Sequence, residues 1–362
     1  MKTYKHLFEN MIDLDNIERA IMKASEHKRK RDDVKSVLEN LENEKVVVKD
    51  MLVSGNIDFL DYTEKECEIK EGSRQKTRRI IKPRFKYDQI IQHVLITQLK
   101  PIILKSLHPH VYGALENRGI TQAAKVISKW LKNDKRGTRY CLQMDIHHCY
   151  PTVDQSVLID KYHRIIKDDK FHCVNDGIIH ECKKGIALGA PTSIWHINFL
   201  LTEFDHLISA LDGVDHYLRY ADDIIIFGRD KKKLHAVEKY AIKYIKEKLH
   251  QEINHNHQIF PIEWTDKKEK IHGRPLDICG FLFYRKKRIL RKKRMLGITR
   301  KARKIGKKEK PTYHDARQML SQMGWTKNAN TYGMYATHIQ SFVNKKKLRS
   351  IVSRVERKYK AA

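Results

Sequence analysis

The sequence has few cysteines and prolines and lacks any long apolar run. Its 362 residues include six Cys and eight Pro, and the cysteines are scattered, which excludes a small disulfide-stapled secreted module. The longest apolar stretch, residues 94–104, is interrupted by polar residues and a proline, and it is shorter than the roughly 20 residues that a bilayer crossing needs. The N-terminus carries no apolar signal segment. We therefore expect a cytoplasmic protein with no membrane partner.

Acidic residues are also scarce relative to basic ones. The chain has 73 Lys and Arg against 44 Asp and Glu, so its formal net charge is +29. The hydrophobic fraction of 41% is too high for a disordered polycation, and we expect the chain to fold. Without a membrane segment, such a charge is typical of a protein that binds a polyphosphate such as a nucleic acid.

Apolar spacing and turn residues predict a mixture of helices and short strands. Helices are predicted over residues 11–50, 87–107, 119–132, 154–167, 231–249 and 312–360, with one long helix inside the segment 185–212. Strands are predicted over 60–83 as a hairpin that turns at 71–73, over 140–145, over 215–229 as a hairpin, and over 276–284. Asp154 is the expected cap of its helix, and Gly324 and residues 328–330 are expected breaks in the last segment.

Three acids lie where predicted strands end or turn. Asp145 ends one strand, and Asp222 and Asp223 have apolar residues on both sides within the segment 215–229. Acids among buried β-branched residues need an explanation, because charged side chains are rarely buried unless they are paired. Phosphoryl transfer with two Mg²⁺ ions about 3.5–4 Å apart needs hard carboxylate oxygens held on separate strands. The plain alternative is a hairpin turn, in which Asp is common.

Five sequence blocks together resemble a known enzyme family. KTRRIIKPRFKYDQIIQHVL resembles the fingers motif of reverse transcriptases, MDIHHCYP their first carboxylate motif, KGIALGAPTSIWHIN their template and nucleotide pocket motif, LRYADDIIIF their catalytic signature, and CGFLFY their primer grip. The blocks run from about residue 74 to residue 284 in the family order. The sequence is therefore identified as a member of the prokaryotic reverse transcriptases, and within the group II intron and retron superfamily it is most similar to those of diversity-generating retroelements.

The resemblance implies an α+β, right-hand polymerase fold. The expected parts are an N-terminal helical extension (1–60), fingers (61–135 with part of 155–190), a palm of antiparallel sheet with packed helices (136–284) and a basic helical thumb (285–362). The thumb segment MLSQMGWTKNANTYGMYATHI also resembles the family.

The start of the thumb is the most basic part of the chain. Residues 285–310 hold 15 Lys or Arg and one acid, and the resemblance implies that this tract lies along the template–primer backbone, where its contribution weakens with salt. No endonuclease or maturase motif follows the thumb, so we do not expect a group II intron protein. A retron enzyme is disfavoured because the thumb has no V-T-G element.

The resemblance also implies the metal site. Asp145 and Asp222 would hold two Mg²⁺ ions, for which Mn²⁺ is a candidate substitute, and Asp223 would complete the acidic cluster. Ile146 would offer its backbone carbonyl to the metal. The lysine that often donates a proton to pyrophosphate has no counterpart, and His255 or His257 is the candidate donor.

The nucleotide pocket follows from the same comparison. Lys76 and Arg78 would neutralise the incoming triphosphate, whereas bare charges of this kind more often form a solvated face. Tyr150 would stack under the sugar and exclude a 2′-hydroxyl, with a core aromatic as the alternative. Leu188 and Gly189 would line the pocket.

Leu188 distinguishes subclasses within the family. Retroviral, retron and group II intron enzymes typically carry Gln before the pocket glycine, whereas an aliphatic residue is usual in diversity-generating retroelements, whose enzymes copy adenines with errors. We expect that losing the amide removes a polar contact worth roughly 1 kcal/mol and weakens rejection of mispairs. One departure is Ile194-Trp195, which stands where that subclass usually has Gln.

The predicted function is RNA-directed DNA polymerisation, in which a dedicated RNA template is copied into cDNA by two-metal nucleotidyl transfer, with errors at adenines that serve mutagenic retrohoming. The expected partners are template RNA, the RNA/cDNA duplex and dNTPs, and a small basic accessory protein is a further candidate. Two alternatives stay open: an antiphage-defence reverse transcriptase with a noncoding RNA, and a non-catalytic RNA-binding scaffold.

The sequence does not favour a second metal site. Two pairs, His172-Cys173 and His180 with Cys182, offer ligand-type side chains. Their spacing fits no standard zinc knuckle, so the sequence favours core or surface positions for them.

Overall fold

The helices and strands follow the mixed pattern that the sequence predicts. The computed structural model describes residues 3–57, 63–71 and 74–361. For 63–79 and 358–361 the description is limited to the backbone. Within these residues the helices are α1 (Leu7–Met11), α2 (Leu14–Ser25), α3 (Asp32–Glu39), α4 (Leu41–Ser54), α5 (Ile90–Ser106), α6 (Ile120–Asn133), α7 (Gln155–Ile165), α8 (Asp169–His180), α9 (Ser193–Leu200), α10 (Thr202–Ser209), α11 (Lys231–Leu249), α12 (Lys292–Gly306), α13 (Tyr313–Thr326), α14 (Tyr332–Tyr335) and α15 (Lys345–Ala361). Two short π-helical turns accompany them, Phe85–Gln89 and Ala336–Gln340.

The strands form four sheets within the described residues. The strands are β1 (Thr63–Glu71), β2 (Arg74–Lys82), β3 (Val111–Tyr112), β4 (Tyr140–Asp145), β5 (His216–Tyr220), β6 (Asp223–Gly228), β7 (Gln258–Pro261), β8 (Trp264–Thr265), β9 (Ile271–His272), β10 (Leu276–Ile278), β11 (Phe281–Phe283) and β12 (Arg288–Leu290). The largest sheet has the order β3-β5-β6-β4-β7, and β1-β2, β8-β9 and β10-β11-β12 are smaller. In the large sheet, the acid-bearing strands β4 and β6 are neighbours.

Most predicted elements are confirmed. The lead-in is helical, β1 and β2 form the expected antiparallel hairpin, and its turn at residues 72–73 lies outside the described part of the chain. Asp154 caps α7 by accepting hydrogen bonds from the backbone N–H groups of Ser156 and Val157. The strand 140–145 and the helix 231–249 have the predicted bounds.

Three expectations were wrong. The single helix in 185–212 is two helices, α9 and α10, which meet at Leu201. The strand over 276–284 is a hairpin, because Cys279 and Gly280 both have positive φ (53° and 81°) and turn the chain. Gly324 lies inside α13 and does not break it. The large sheet also includes one parallel pair, β3 with β5.

The chain forms two compact units. The first comprises Met1–Ala114, Gln143–Ile225 and Lys232–Gln258, and the second comprises the remaining segments. The finer division into extension, fingers, palm and thumb remains a prediction.

Each unit has its own apolar core. In the first unit, α5 packs against α2 and α9 and buries Val94, Leu95 and Leu99 completely. In the second unit, Phe281 and Phe283 of β11 are buried, and the ring of Phe281 lies 5.5 Å from that of Trp325. No helix among the described residues has both the length and the apolar character that a membrane crossing requires.

Candidate active site

A backbone hydrogen bond joins the two acid-bearing strands, β4 and β6, beside the acids. Asp145 ends β4, Asp222 lies in the turn before β6, and Asp223 begins β6. The N–H of Ile146, the residue after Asp145, donates a hydrogen bond to the carbonyl oxygen of Asp222 at 3.4 Å. All three acids are half-buried, and Ile146 is buried. The structure therefore places the predicted acids on adjoining strand ends.

The buried Cys149 thiol lies in the electrostatic field of two of these acids. Burial raises the pKa of Cys149, and the charges of Asp222 and Asp145 raise it further. This environment disfavours the thiolate form of Cys149.

The turn before β6 has an unusual backbone conformation. Ala221 has φ 55°, in the left-handed region that non-glycine residues seldom occupy. Its N–H donates to the carbonyl of Tyr112 in β3 at 3.0 Å. A methyl group on Gly113, which follows Tyr112, would lie 3.0 Å from the Ala221 nitrogen. Close packing against β3 therefore holds the turn.

A buried ion pair also supports this turn. Arg219 and Asp205 are both completely buried, and the guanidinium makes two 2.7 Å hydrogen bonds with the carboxylate. The Tyr217 hydroxyl donates to the same carboxylate at 2.6 Å, and Arg219 donates from Nη1 to the Ala221 carbonyl at 2.9 Å. Sequence reasoning missed this pair. Its one signal was a lone Arg in an apolar strand beside the acids.

The segment after α11 contacts Asp145. Asn254 donates from Nδ2 to Oδ2 of Asp145 at 3.2 Å, and its backbone N–H donates to the Asp145 carbonyl at 2.7 Å. From the sequence we predicted its neighbours His255 and His257 as candidate proton donors, but we did not predict a role for Asn254. His255 is exposed, and His257 contacts the Asn254 carbonyl at 3.0 Å. The proton-donor role of these histidines remains a prediction.

The predicted pocket residues are linked by backbone contacts. The Tyr150 carbonyl accepts a hydrogen bond from the N–H of Ile186 at 3.0 Å. The Leu188 carbonyl accepts one from the N–H of Ile81 in β2 at 2.9 Å. Gly189 has φ +114°, and a methyl group there would lie 2.5 Å from the Ile81 carbonyl oxygen. The segment before α9 therefore bridges Tyr150 and strand β2.

The surroundings of Tyr150 disfavour ionisation of its hydroxyl. Burial raises the pKa of its hydroxyl to about 12, and the charges of Cys149 and Asp222 add to the shift. Lys76 and Arg78 lie on β2 opposite Ile69 and Cys67. Their side chains lie outside the described part of the chain, so their contact with a triphosphate remains a prediction.

The second unit contains a basic cavity of about 930 Å³. It is lined by six cationic residues, together with Glu263, Trp264, Thr265 and Tyr284; the six are Lys132, Lys135, Arg139, Arg285, Lys286 and Lys287. Trp264 is 46% exposed, and exposed aromatic rings beside cations suit the bases and phosphates of single-stranded nucleic acid.

Two arginines of the basic tract also have bonds within the protein. Arg285 donates to the Glu263 carbonyl at 2.8 Å and to the Thr138 hydroxyl at 2.9 Å, and Arg288 donates to the Asn328 carbonyl. Part of the tract therefore stabilises the fold.

The residues at the acid cluster fit divalent metal ions. Magnesium and manganese prefer carboxylate and carbonyl oxygens, and the acids together with the Ile146 carbonyl are donors of that type. The Asn254 amide already orients one Asp145 oxygen, as partners of metal-binding carboxylates commonly do.

Comparison with known proteins identifies the family. The family model described as reverse transcriptase (RNA-dependent DNA polymerase) matches residues 69–257, more than half of the chain. The chain therefore belongs to the reverse transcriptase family, and its fold is the right-hand polymerase fold of that family. The comparison with curated proteins finds no match.

Solved structures of telomerases are similar to part of this chain. Apo telomerase from Candida tropicalis has a TM-score of 0.49 and 12% identity, over 73% of this chain and 53% of that one. The same protein truncated from its C-terminal domain has a TM-score of 0.42 and 14% identity, over 64% and 53%. Telomerase from Candida albicans in complex with a fragment of telomeric RNA has a TM-score of 0.46 and 10% identity, over 81% and 59%. The chain thus spans little more than half the length of these proteins.

Proposed function

We propose that this protein is an RNA-directed DNA polymerase, which copies an RNA template into cDNA with dNTPs as substrates. The observation that carries the proposal is the junction of β4 and β6, where Ile146 is hydrogen-bonded to the Asp222 carbonyl. This contact holds two acids from distant parts of the sequence on adjoining strand ends. Family membership supports the same reaction.

Asp145 and Asp222 would hold a pair of Mg²⁺ ions, with Asp223 and the Ile146 carbonyl beside them, and Mn²⁺ would fit the same oxygens. When bound, such ions activate the attacking hydroxyl oxygen and neutralise charge on the phosphates. Asn254 fixes one Asp145 oxygen, and Arg219 fixes the Ala221 carbonyl. The protein's contribution is therefore to hold the carboxylates rigidly before substrate arrives.

Substrate selection would depend on the segment that joins Tyr150 to β2. Tyr150 would support the sugar and exclude a 2′-hydroxyl, and Lys76 and Arg78 on β2 would neutralise the triphosphate. Leu188 and Gly189 would form the floor of the pocket, since their backbone already contacts Ile81 of β2.

We further propose that the enzyme belongs to the diversity-generating subclass and makes errors at template adenines. Leu188 supports this assignment, because its backbone is held by Ile81 and its half-buried side chain takes the place of an amide. Copying a mixed template with wild type and Leu188→Gln tests the idea. A regained contact of roughly 1 kcal/mol would lower the adenine error rate about five-fold, and equal error rates would refute the proposal.

Primer extension on an RNA template tests the polymerase activity. Wild type with Mg²⁺ should extend the primer, Asp222→Asn should not, and the exposed control Asp212→Asn should match wild type. All three proteins should bind RNA equally. If wild type binds RNA without ever making cDNA, the scaffold alternative is correct.

Sequencing the nucleic acid that co-purifies with the protein tests its biological role. A template repeat related to a variable target gene would support mutagenic retrohoming, with a small basic protein as accessory partner. A structured noncoding RNA without such a target would instead support the antiphage-defence alternative.

A further inference from the structure

Two neighbouring helices of the first unit bring three ligand-type side chains together. His163 lies on α7, and His172 and Asp176 lie on α8. One ligand atom from each residue lies within 4.8 Å of the other two. Within the described part of the chain, these three residues form the one group of three or more His, Cys, Asp or Glu whose ligand atoms lie this close together. None of the three belongs to the acid cluster.

His172 presents an unpaired lone pair. Its side chain is buried, with 6% of the residue exposed, and Nε2 lies 3.1 Å from the Ile166 carbonyl oxygen. A carbonyl can only accept, so the proton is on Nε2 and Nδ1 carries the lone pair. This buried Nδ1 has no hydrogen-bond partner in the structure, which costs free energy unless something else binds there.

His163 and Asp176 lie beside His172. Nε2 of His163 lies 2.7 Å from Oδ2 of Asp176, and the rings of His163 and His172 stack with their centroids 3.7 Å apart. His172 and Asp176 are four residues apart on one helix, so they share a face. Asn175 donates to the other Asp176 oxygen at 3.0 Å and thereby orients the carboxylate.

We propose that these residues bind a divalent transition-metal ion of the zinc class. The ligands would be Nε2 of His163, Nδ1 of His172 and Oδ2 of Asp176, with a water on the exposed His163 side. To reach a shared ion, the exposed His163 ring would turn out of its stack on His172, and the proton between its Nε2 and Asp176 would be released to solvent. Two imidazoles and one carboxylate are a donor set that suits Zn²⁺ rather than Mg²⁺. The Ile166 carbonyl fixes the His172 tautomer, as outer partners of metal-bound histidines do.

Such an ion would fasten α7 to α8 around the loop that joins them. That loop also holds the N-terminal segment: Tyr4 exchanges backbone hydrogen bonds with Ile165 and Lys167, and Phe8 donates its N–H to the Asp168 carboxylate. The ion would therefore stabilise this corner of the first unit.

Calorimetric titration of the metal-free full chain with ZnCl₂ tests the proposal. Excess Mg²⁺ in the buffer keeps Zn²⁺ from the acid cluster. The informative variants are His172→Gln, whose amide can still donate to the Ile166 carbonyl while Nδ1 is lost, and Asp176→Asn. The matched control is His250→Gln, because His250 also pairs with an aspartate, Asp154, at 2.7 Å.

The expected result is one high-affinity Zn²⁺ per chain, weakened about 10-fold or more in both variants and unchanged in the control. Absence of binding in wild type, or equal affinity in wild type and His172→Gln, overturns the proposal. X-ray absorption spectroscopy at the zinc edge of the wild-type protein provides a second measurement that needs no variant. A zinc coordination shell without two imidazoles would also overturn the proposal. Primer extension does not enter these readouts, so the polymerase proposal is tested separately.

Discussion

The guanidinium of Arg219 and the carboxylate of Asp205 form a completely buried pair with two hydrogen bonds of 2.7 Å. Burial alone lowers the pKa of Arg219, but the Asp205 charge outweighs it and the net pKa is raised. The same guanidinium binds the Ala221 carbonyl. The turn that carries Asp222 is therefore fastened to the helix α10 by a charged pair rather than by apolar packing alone.

Removing one partner of this pair should be severely destabilising. Arg219→Met leaves the Asp205 charge buried without its partner, and we expect a loss of about 3–5 kcal/mol in the free energy of unfolding. The double variant Arg219→Met/Asp205→Leu should recover much of that stability, yet extend primers poorly because the Ala221 carbonyl has lost its donor. Urea unfolding and primer extension measure the two effects. Lys233→Ala, which breaks an exposed pair with Asp212, is the control and should cost less than about 1 kcal/mol.

Asn254 is expected to act as a positioning residue for Asp145. Asn254→Ala removes a hydrogen bond to a charged oxygen, which should lower kcat about 10-fold and raise the Mg²⁺ concentration needed for half-maximal rate. The KM for dNTP should change little, because the amide does not lie on the segment between Tyr150 and β2. Asn256→Ala, two residues away and exposed, should behave as wild type. A reduced melting temperature with an unaltered Mg²⁺ dependence would indicate a purely structural role.

Gly189 should tolerate no side chain. At φ +114° an added methyl group would be strained and would meet the Ile81 carbonyl at 2.5 Å, at a cost of about 1–3 kcal/mol. We expect Gly189→Ala to displace β2 and raise the KM for dNTP in steady-state primer extension. The matched control is Gly324→Ala in α13, where nothing lies within 4 Å, and it should stabilise the protein by about 0.5–1 kcal/mol. Equal effects of the two changes would contradict the account of the pocket.

Acid should unfold the first unit partly through His196. Burial lowers the pKa of this residue to about 3, and its Nδ1 lies 3.0 Å from the Tyr162 hydroxyl. Because the unfolded chain binds this proton near pH 6.5 and the folded one does not, stability is full above pH 6.5 and falls as the pH drops toward 3. The slope from this one group is about 1.4 kcal/mol per pH unit.

His196→Asn tests this pH dependence. The Asn oxygen can still accept from Tyr162, so the variant should lose some packing at neutral pH yet show a shallower fall in unfolding free energy between pH 6.5 and 4. Urea unfolding at several pH values gives both curves, and parallel curves would mean that His196 does not carry the effect.

Local sequence patterns were sufficient to predict that the three acids lie at strand ends and to predict the bounds of most helices and strands. Strand alternation ended at Asp145, and an acid pair inside an apolar strand marked the turn at Asp222 and Asp223. Such features depend on neighbours along the chain, which is why β4 and α11 have the predicted bounds.

Features that depend on tertiary packing were not predictable in the same way. The Arg219–Asp205 pair joins residues fourteen apart, and Asn254 meets Asp145 across 109 positions. Leu201, where α9 meets α10, is a good helix former, so nothing local marked the break. Cys279 adopts positive φ because it lies in the turn of a hairpin. The strand-forming residues of 276–284 by themselves favoured one continuous strand.

The most direct test of the account is anomalous scattering from Mn²⁺ in crystals of the full chain with a template–primer and an unreactive dNTP. The account predicts two peaks about 3.5–4 Å apart, each about 2.1 Å from carboxylate oxygens of Asp145 or Asp222. Manganese located elsewhere, or an Asp145 carboxylate that turns away from Asp222 in the ternary complex, would contradict it.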